Sequence, residues 1–585
     1  MNRLLKPFAA GALVLTISLG TSLAETLSVP HFFSDRMVLQ REVPCAVWGK
    51  AAPNTEVKVS FKGNSGTVTS DEQGNWRTAV VTGAADAKGD ELVITSGEEK
   101  IVINNVLVGE VWLASGQSNM VWTLDRVEQY AEEITKADFP GMRFFNAPTV
   151  TAVEPQDDIE GEWTEATSET VGGYSAVAYF FAKKLHGELE IPIGVIKTAW
   201  GGKPVETFTS REALNTLPGT KKLVDDALAA DADYDPEQAQ NFYEKRLADW
   251  EVASAAWKKK PEEQRGRAPR KPAPPKRPLD TEGKPGVLFN SMINPFVGYT
   301  IRGAIWYQGE GNAKEGAVPY DETLPLMIND WRTRWDDEFS FYYVQLANFR
   351  QPTTEPGDDD PWPLLQDRMR LVLDITPKTG MAIINDVGEA DDIHPWNKHD
   401  VGDRLALWAL AKDYGKDLVA HSGPLYRAVK FREKEVRVFF DQVGSGLRVR
   451  GGGKLKRFEI AGEDKVWHWA NARIEGGDSV IVSSEDVEAP VAVRYAWASN
   501  PEGANLINSE GLPASVFRTD DWDDVVSKDA IEAAAAAEAR KKLSARIKEL
   551  AAKRQALDRQ SGEFKEVAAE HARLMEEWRA TAPKR

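Results

Sequence analysis

At 585 residues the chain exceeds what one hydrophobic core serves, so roughly two to four domains are expected. Its 72 basic and 90 acidic residues leave a net charge of −18, which opposes binding to nucleic acid or to an anionic membrane surface. Cys45 is the only cysteine, so an intramolecular disulfide is excluded and the fold must stand on its core.

The N-terminus carries Arg3 and Lys6, an apolar stretch from Phe8 through Leu19, and then Ser22-Leu23-Ala24, with small residues where a signal peptidase reads. The stretch falls short of the ~20 apolar residues needed to span a bilayer. Residues 1–24 therefore read as an export signal cleaved after Ala24. A periplasmic or secreted protein with no membrane contact after cleavage is expected.

Residues 25–105 are short runs rich in Val, Ile and Thr, broken by Gly, Asn and Pro, the pattern of a small β-sandwich module. From 106 to 415 strand-like runs such as Val106–Ala114, Ile193–Thr198 and Gly303–Tyr307 alternate with helix-like stretches, which predicts a parallel α/β sheet. Residues 220–280 interrupt it with an acidic helix-like half and a Lys-, Arg- and Pro-dense half, read as a surface insertion ending in a solvated extended loop. Short strands return in a C-terminal β module over 416–522. The tail, 523–585, reads as helical. Leu543, Leu550, Leu557 and Phe564 fall seven apart, but Arg554 and Ser561 fill the alternate heptad position. A coiled coil or helical hairpin is possible there, while docking on the chain's own domains is favoured over oligomerisation.

Four segments carry chemistry. Val111–Ala114 runs into Gly116-Gln117-Ser118-Asn119, at the carboxyl end of the first strand of the α/β region, where open α/β sheets bind ligands. Ser118 is there either a nucleophile, whose own N–H could face an oxyanion, or a helix cap. The Gly-x-Ser-x-Gly elbow is not matched, because Met120 stands at the second glycine.

A serine nucleophile needs a base. Of seven histidines, His31, His186, His421, His468 and His571 lie in modules or helices away from the sheet edge, which leaves His394 and His399. His394 follows a strand in the polar loop Asn385–Pro395. Asp391 and Asp392 are both near enough to orient it. The competing reading of this loop is a metal site from Glu389, Asp391, Asp392, His394 and His399. Two further segments end strands at the same edge: Trp200-Gly201-Gly202 and Trp306-Tyr307-Gln308-Gly309-Glu310. Glycine N–H groups and the Gln308 amide, with the Ser118 N–H, would make a three-donor oxyanion hole. The 19 tryptophans suit sugar faces, though they are equally core residues.

Read in order, Gly116-Gln117-Ser118-Asn119, Trp200-Gly201-Gly202, Trp306–Glu310 and Asp392-Ile393-His394-Pro395 resemble the sialate O-acetylesterase family of the SGNH hydrolase superfamily. Phe33–Arg41 resembles that family's opening. Tyr495-Ala496-Trp497, Asn505–Leu512 and Phe517-Arg518 resemble its closing segment, so roughly residues 25–520 are covered. The resemblance implies a flavodoxin-like three-layer α/β/α domain between β-sandwich modules, and an acyl-enzyme mechanism without metal or cofactor. The implied substrate is an O-acetylated carbohydrate, with O-acetyl sialic acid the first reading. Acetylated plant polysaccharide such as xylan is the alternative, and a non-catalytic glycan-binding protein a further one.

Mapped onto this chain, the resemblance makes Ser118 the nucleophile and His394 the base. Gly201 or Gly202, with Gln308, completes the oxyanion hole. The superfamily pattern places the acid at Asp391 and the family's Asp-Ile-His-Pro form at Asp392. Asp391 is favoured, since three residues allow a turn back to the ring. Gln117, Asn119, Trp306 and Glu310 are assigned to substrate contact. Gly311 stands where serine is expected, a departure read as altering substrate contacts rather than chemistry.

Overall fold

The computed structural model describes residues 27–261, 264–314, 316–522, 540, 542–551, 553–554 and 561–580; the expected export signal lies outside them. An 18-residue strand, β1 (Glu99–Gly116), joins the first two parts of the molecule. Its first half pairs antiparallel with Asp86–Ser96 of the N-terminal β module, and Leu107–Gly109 pairs parallel with Val38–Gln40. From Val106 onward every residue of β1 is buried. The module boundary expected at 105 thus falls inside one strand, interrupted only by Asn105 at φ 56°.

The central sheet adds β2 (Asp138–Asn146), β3 (Trp163–Thr167), β4 (Ile193–Ala199), β5 (Gly303–Tyr307), β6 (Ser340–Gln345) and β7 (Thr379–Ile383), in the order β7-β6-β5-β1-β4-β2-β3. All pairs are parallel except the edge pair of β2 and β3. The inner strands are near-continuous apolar runs because both faces are covered. Adjacent residues show this. Phe341 packs on Trp331 of one helix, whereas Tyr342 packs on Trp408 of another, and successive strand side chains point to opposite faces. The helices include α1 (Ser118–Val121), α2 (Ala176–Leu189), α3 (Pro218–Ala232), α4 (Pro236–Lys259), α5 (Tyr320–Trp335), α6 (Pro361–Ile375) and α7 (Lys398–Lys412). α2 packs with α7 and α5 with α6, giving a three-layer α/β/α body.

The insertion is α3 and α4, each opened by a proline at its first turn. The Pro-rich stretch after them is the largely exposed, extended segment expected. It folds back on α4, where Trp250 Nε1 donates to Pro269 O (2.9 Å) and Trp257 Nε1 to Gly266 O (2.8 Å). Lys271 and Arg265 lie over those two rings. The aromatics missing from the basic run are supplied by the preceding helix.

After α7, two four-stranded antiparallel sheets and a two-stranded one share one core around Val438, Phe440, Ile460 and Tyr495. This part supports the loops behind the site: Asn385 Nδ2 donates to Ala514 O, and Asn348 Nδ2 to Asn500 Oδ1. In the tail, Leu543, Ile547 and Leu550 meet Val567 and Leu574 of α8 (Gly562–Ala580), a local helical hairpin. Leu557 lies outside the described residues, and Phe564 is not part of this cluster.

Candidate active site

Gly116 ends β1 in register with Tyr307 of β5 and Ala199 of β4. The loops leaving all three strands therefore emerge at one level, where strand order switches direction, the usual ligand edge of such sheets. The turn into α1 requires glycine. Gly116 has φ 137°, and a Cβ there would stand 2.2 Å from Tyr307 O. The next N–H, of Gln117, donates to that carbonyl at 2.9 Å. Ser118 is then the first helical residue and not the cap, a position held by Gln117.

Ser118 Oγ lies 2.9 Å from His394 Nε2. On the other side of the ring, Nδ1 is 3.2 Å from Asp392 Oδ1, which also accepts the His394 backbone N–H at 2.8 Å. That local loop, carboxylate to the N–H two residues on, is an Asx-type turn, and it brings Asp392 to the ring. A proton on Nδ1 toward the carboxylate leaves the Nε2 lone pair for the serine hydroxyl.

Trp122, four residues after Ser118, stacks on the imidazole at 4.5 Å between centroids and 15° between planes. Arg126 lies over the same indole at 5.2 Å. Burial holds the His394 pKa below its ordinary value. The charge and hydrogen bond of Asp392 oppose that, while Lys398 and Arg126 reinforce it. The lowered value favours the neutral imidazole, the form able to accept a proton.

Gly201 is pressed against Ser118, since a Cβ on it would be 3.3 Å from Ser118 Cβ. Among the described residues the N–H groups of Ser118, Gly201 and Gly202 donate to no protein acceptor. They are the donors available to an oxyanion.

No protein-family model matches the chain. It is 27% identical over 531 residues to the sialate O-acetylesterase of Mus musculus, covering 83% of this chain and 93% of that protein. The Homo sapiens sialate O-acetylesterase is 27% identical over 526 residues, 80% of this chain and 87% of that one. The crystal structure of a carbohydrate acetylesterase from Xanthomonas citri is 36% identical, covers 85% of this chain and 100% of that chain, and superposes with a TM-score of 0.70. The chain belongs with this carbohydrate acetylesterase and is a homologue of the sialate O-acetylesterases.

The esterase brings Ser118, His394 and Gly201 together as expected from sequence, with Gly202 beside Gly201, but six assignments need correction. Asp391, the favoured acid, points away and accepts from Gln351 Nε2 at 2.7 Å; Asp392 holds the ring. Gln308 is fully buried, and its Nε2 is taken by Asn312 Oδ1, Gln117 Oε1 and Lys203 O, so it braces the loop instead of facing the serine. Trp306 is core: its ring packs on Phe208 and Trp331 and its N–H donates to Tyr320. Gln117, Asn119 and Glu310 are bonded inward and not presented to substrate. Gln117 Oε1 accepts from Gly311 N, and Asn119 Nδ2 donates to Glu310 Oε1.

The acidic loop also does not gather as a cation cage. Glu389 accepts from Trp396 N, and His399 packs on Phe180 and faces Asp403. Among the described residues no group of three or more His, Cys, Asp or Glu side chains is placed to hold a metal. Sequence reasoning missed Trp122 and Lys398. Trp122 was within reach, one helical turn beyond the nucleophile. Lys398 was not, since a lysine is ordinarily read as exposed.

Proposed function

We propose that the esterase removes O-acetyl groups from a glycan through an acetyl-enzyme intermediate on Ser118. The observation that carries this reading is the 2.9 Å contact between Ser118 Oγ and a ring nitrogen of a carboxylate-bonded histidine. His394 Nε2 takes the Ser118 proton as Oγ bonds to the acetyl carbonyl carbon. The oxyanion is met by the N–H groups of Ser118 and Gly201, with Gly202 beside them. Collapse breaks the bond to the sugar oxygen, which leaves with the proton from His394. Water then adds to the acetyl ester, giving a proton to His394, and acetate departs as Ser118 regains its hydrogen.

Among sugars, sialic acid is the reading we favour. The curated relatives are named for it, and Arg126 offers an exposed guanidinium next to Trp122 and His394, suited to a substrate carboxylate. The exposed Trp396, two residues past the base, offers an apolar face for a ring. The N-terminal leader supports export to the periplasm or beyond. Acetate release is measured in parallel from O-acetylated sialoglycan, acetylated xylan and an aryl acetate. The highest kcat/KM on the sialoglycan is expected. Preference for xylan would reassign the substrate, and no hydrolysis of any of the three would overturn the enzymatic reading.

A further inference from the structure

Two buried ionisable groups beside the site take no part in the reaction as drawn. Lys398 opens α7, four residues after His394, and is fully buried. Glu310 lies on the loop after β5, and its Oε2 is buried with no hydrogen-bond partner. An isolated charge in such a place costs several kcal/mol, so these groups persist only if they satisfy each other or something between them.

Between them stands Asn119, the residue after the nucleophile. Lys398 Nζ donates to Asn119 Oδ1 at 2.5 Å. Asn119 Nδ2 donates to Glu310 Oε1 at 2.5 Å and to Ile393 O at 3.0 Å. An ammonium can only donate, and a carboxylate and a carbonyl can only accept, so the amide fits one way round. Flipping it would set donor against donor at Lys398 and acceptor against acceptor at both Glu310 and Ile393. Asn119 is thereby compelled to hold the carbonyl immediately before His394. Lys398 Nζ also lies 5.7 Å from the centroid of the Tyr307 ring, the residue that fixes the Gly116 turn. One side chain ties together the nucleophile turn, the β5 loop, the base loop and α7.

We propose that Lys398, Asn119 and Glu310 form a positioning device that sets the Ser118–His394 contact and keeps a positive charge near the imidazole, so that the base rests neutral. Lys398 is a positioning residue for His394. It does not touch the substrate. The device rests on the serine-esterase reading above. Its electrostatics agree: burial pulls Lys398 down to about 7, with Glu310, Asp392 and Glu389 pulling back, and burial raises Glu310. The groups that bias His394 are Asp392 on its own loop, Lys398 on α7 and Arg126 after α1.

The test is kcat and KM against pH, in the full-length protein with an aryl acetate, for Lys398→Met, Lys398→Arg and Glu310→Gln. Removing the cation lets His394 protonate more readily. In Lys398→Met the acid limb should move up by roughly 0.5–1 pH unit. Loss of positioning should lower kcat about 10- to 100-fold with KM little changed. Glu310→Gln removes a charge that keeps Lys398 protonated, so its limb should move the same way. Lys398→Arg keeps the charge and should hold the wild-type limb whatever its kcat. A limb that stays in place in both Lys398→Met and Glu310→Gln would overturn the proposal. Should Lys398→Met fail to fold, the near-isosteric Glu310→Gln reads the same limb. His394→Ala separates the two readings: if it keeps the wild-type acid limb, the serine-esterase reading fails, independently of the device.

Discussion

Replacing Asp392 by Ala removes the acceptor that holds His394 at both its backbone N–H (2.8 Å) and its ring Nδ1 (3.2 Å), while Asp391→Ala removes only a contact to Gln351. Loss of the orienting carboxylate in a fully buried triad costs roughly 10⁴-fold in kcat. Here the Asp392 side chain is 50% exposed and its ring contact is long, so a smaller effect is expected. A charge-assisted hydrogen bond contributes about 1.5–3 kcal/mol, and solvent screening places this one at the lower end. Near 1.4–2 kcal/mol, kcat/KM should fall roughly 10- to 30-fold. Asp392→Asn keeps an acceptor for the backbone N–H but not the charge that steadies the imidazolium, so it should lie between wild type and Asp392→Ala. Asp391→Ala should stay within about twofold, as exposed substitutions do. The assay is kcat/KM for aryl acetate hydrolysis at a pH above the acid limb. A larger loss in Asp391→Ala than in Asp392→Ala would refute the assignment.

Three more outcomes follow from the geometry. Because burial lowers the His394 pKa and the base works unprotonated, activity should be lost as pH falls, with a kcat/KM midpoint below the ordinary imidazole value of about 6.5; a midpoint above it would contradict the resting-neutral base. Gly116→Ala forces a Cβ to 2.2 Å from Tyr307 O at φ 137°, and should cost about 3 kcal/mol or more, read as a lowered Tm with loss of activity. Arg126→Gln should lower kcat/KM for carboxylate-bearing sugar esters about 5- to 10-fold while sparing the maximal rate on a neutral aryl acetate, with equal losses on both contradicting a carboxylate contact.

Much of the candidate site was legible because its residues sit on the loops that follow strand ends. An apolar run stopping at Gly116 announces a sheet edge, and a histidine between a strand and a helix can come from few other places. What stayed hidden depended on side-chain direction. Asp391 and Asp392 are one residue apart, and only the turn closed by the His394 N–H decides between them. Gln308 has the right chemistry for an oxyanion donor, yet Tyr320, Asn312 and Gln117 claim it inside the core. Trp306 alternates to the face covered by α5, which periodicity alone does not assign in a strand buried on both sides. Lys398 was illegible for a different reason: its burial is sustained by Glu310 through Asn119, a pairing across 88 residues of chain that no local pattern announces.

The central claim is that Ser118 carries the acetyl group. Rapid quenching of the wild-type protein during turnover of an activated acetyl ester, followed by peptide mass spectrometry, should show an acetyl adduct on the peptide containing Ser118, absent from Ser118→Ala. Steady-state acetate release by Ser118→Ala at the wild-type rate, or an adduct mapped to another residue, would contradict it.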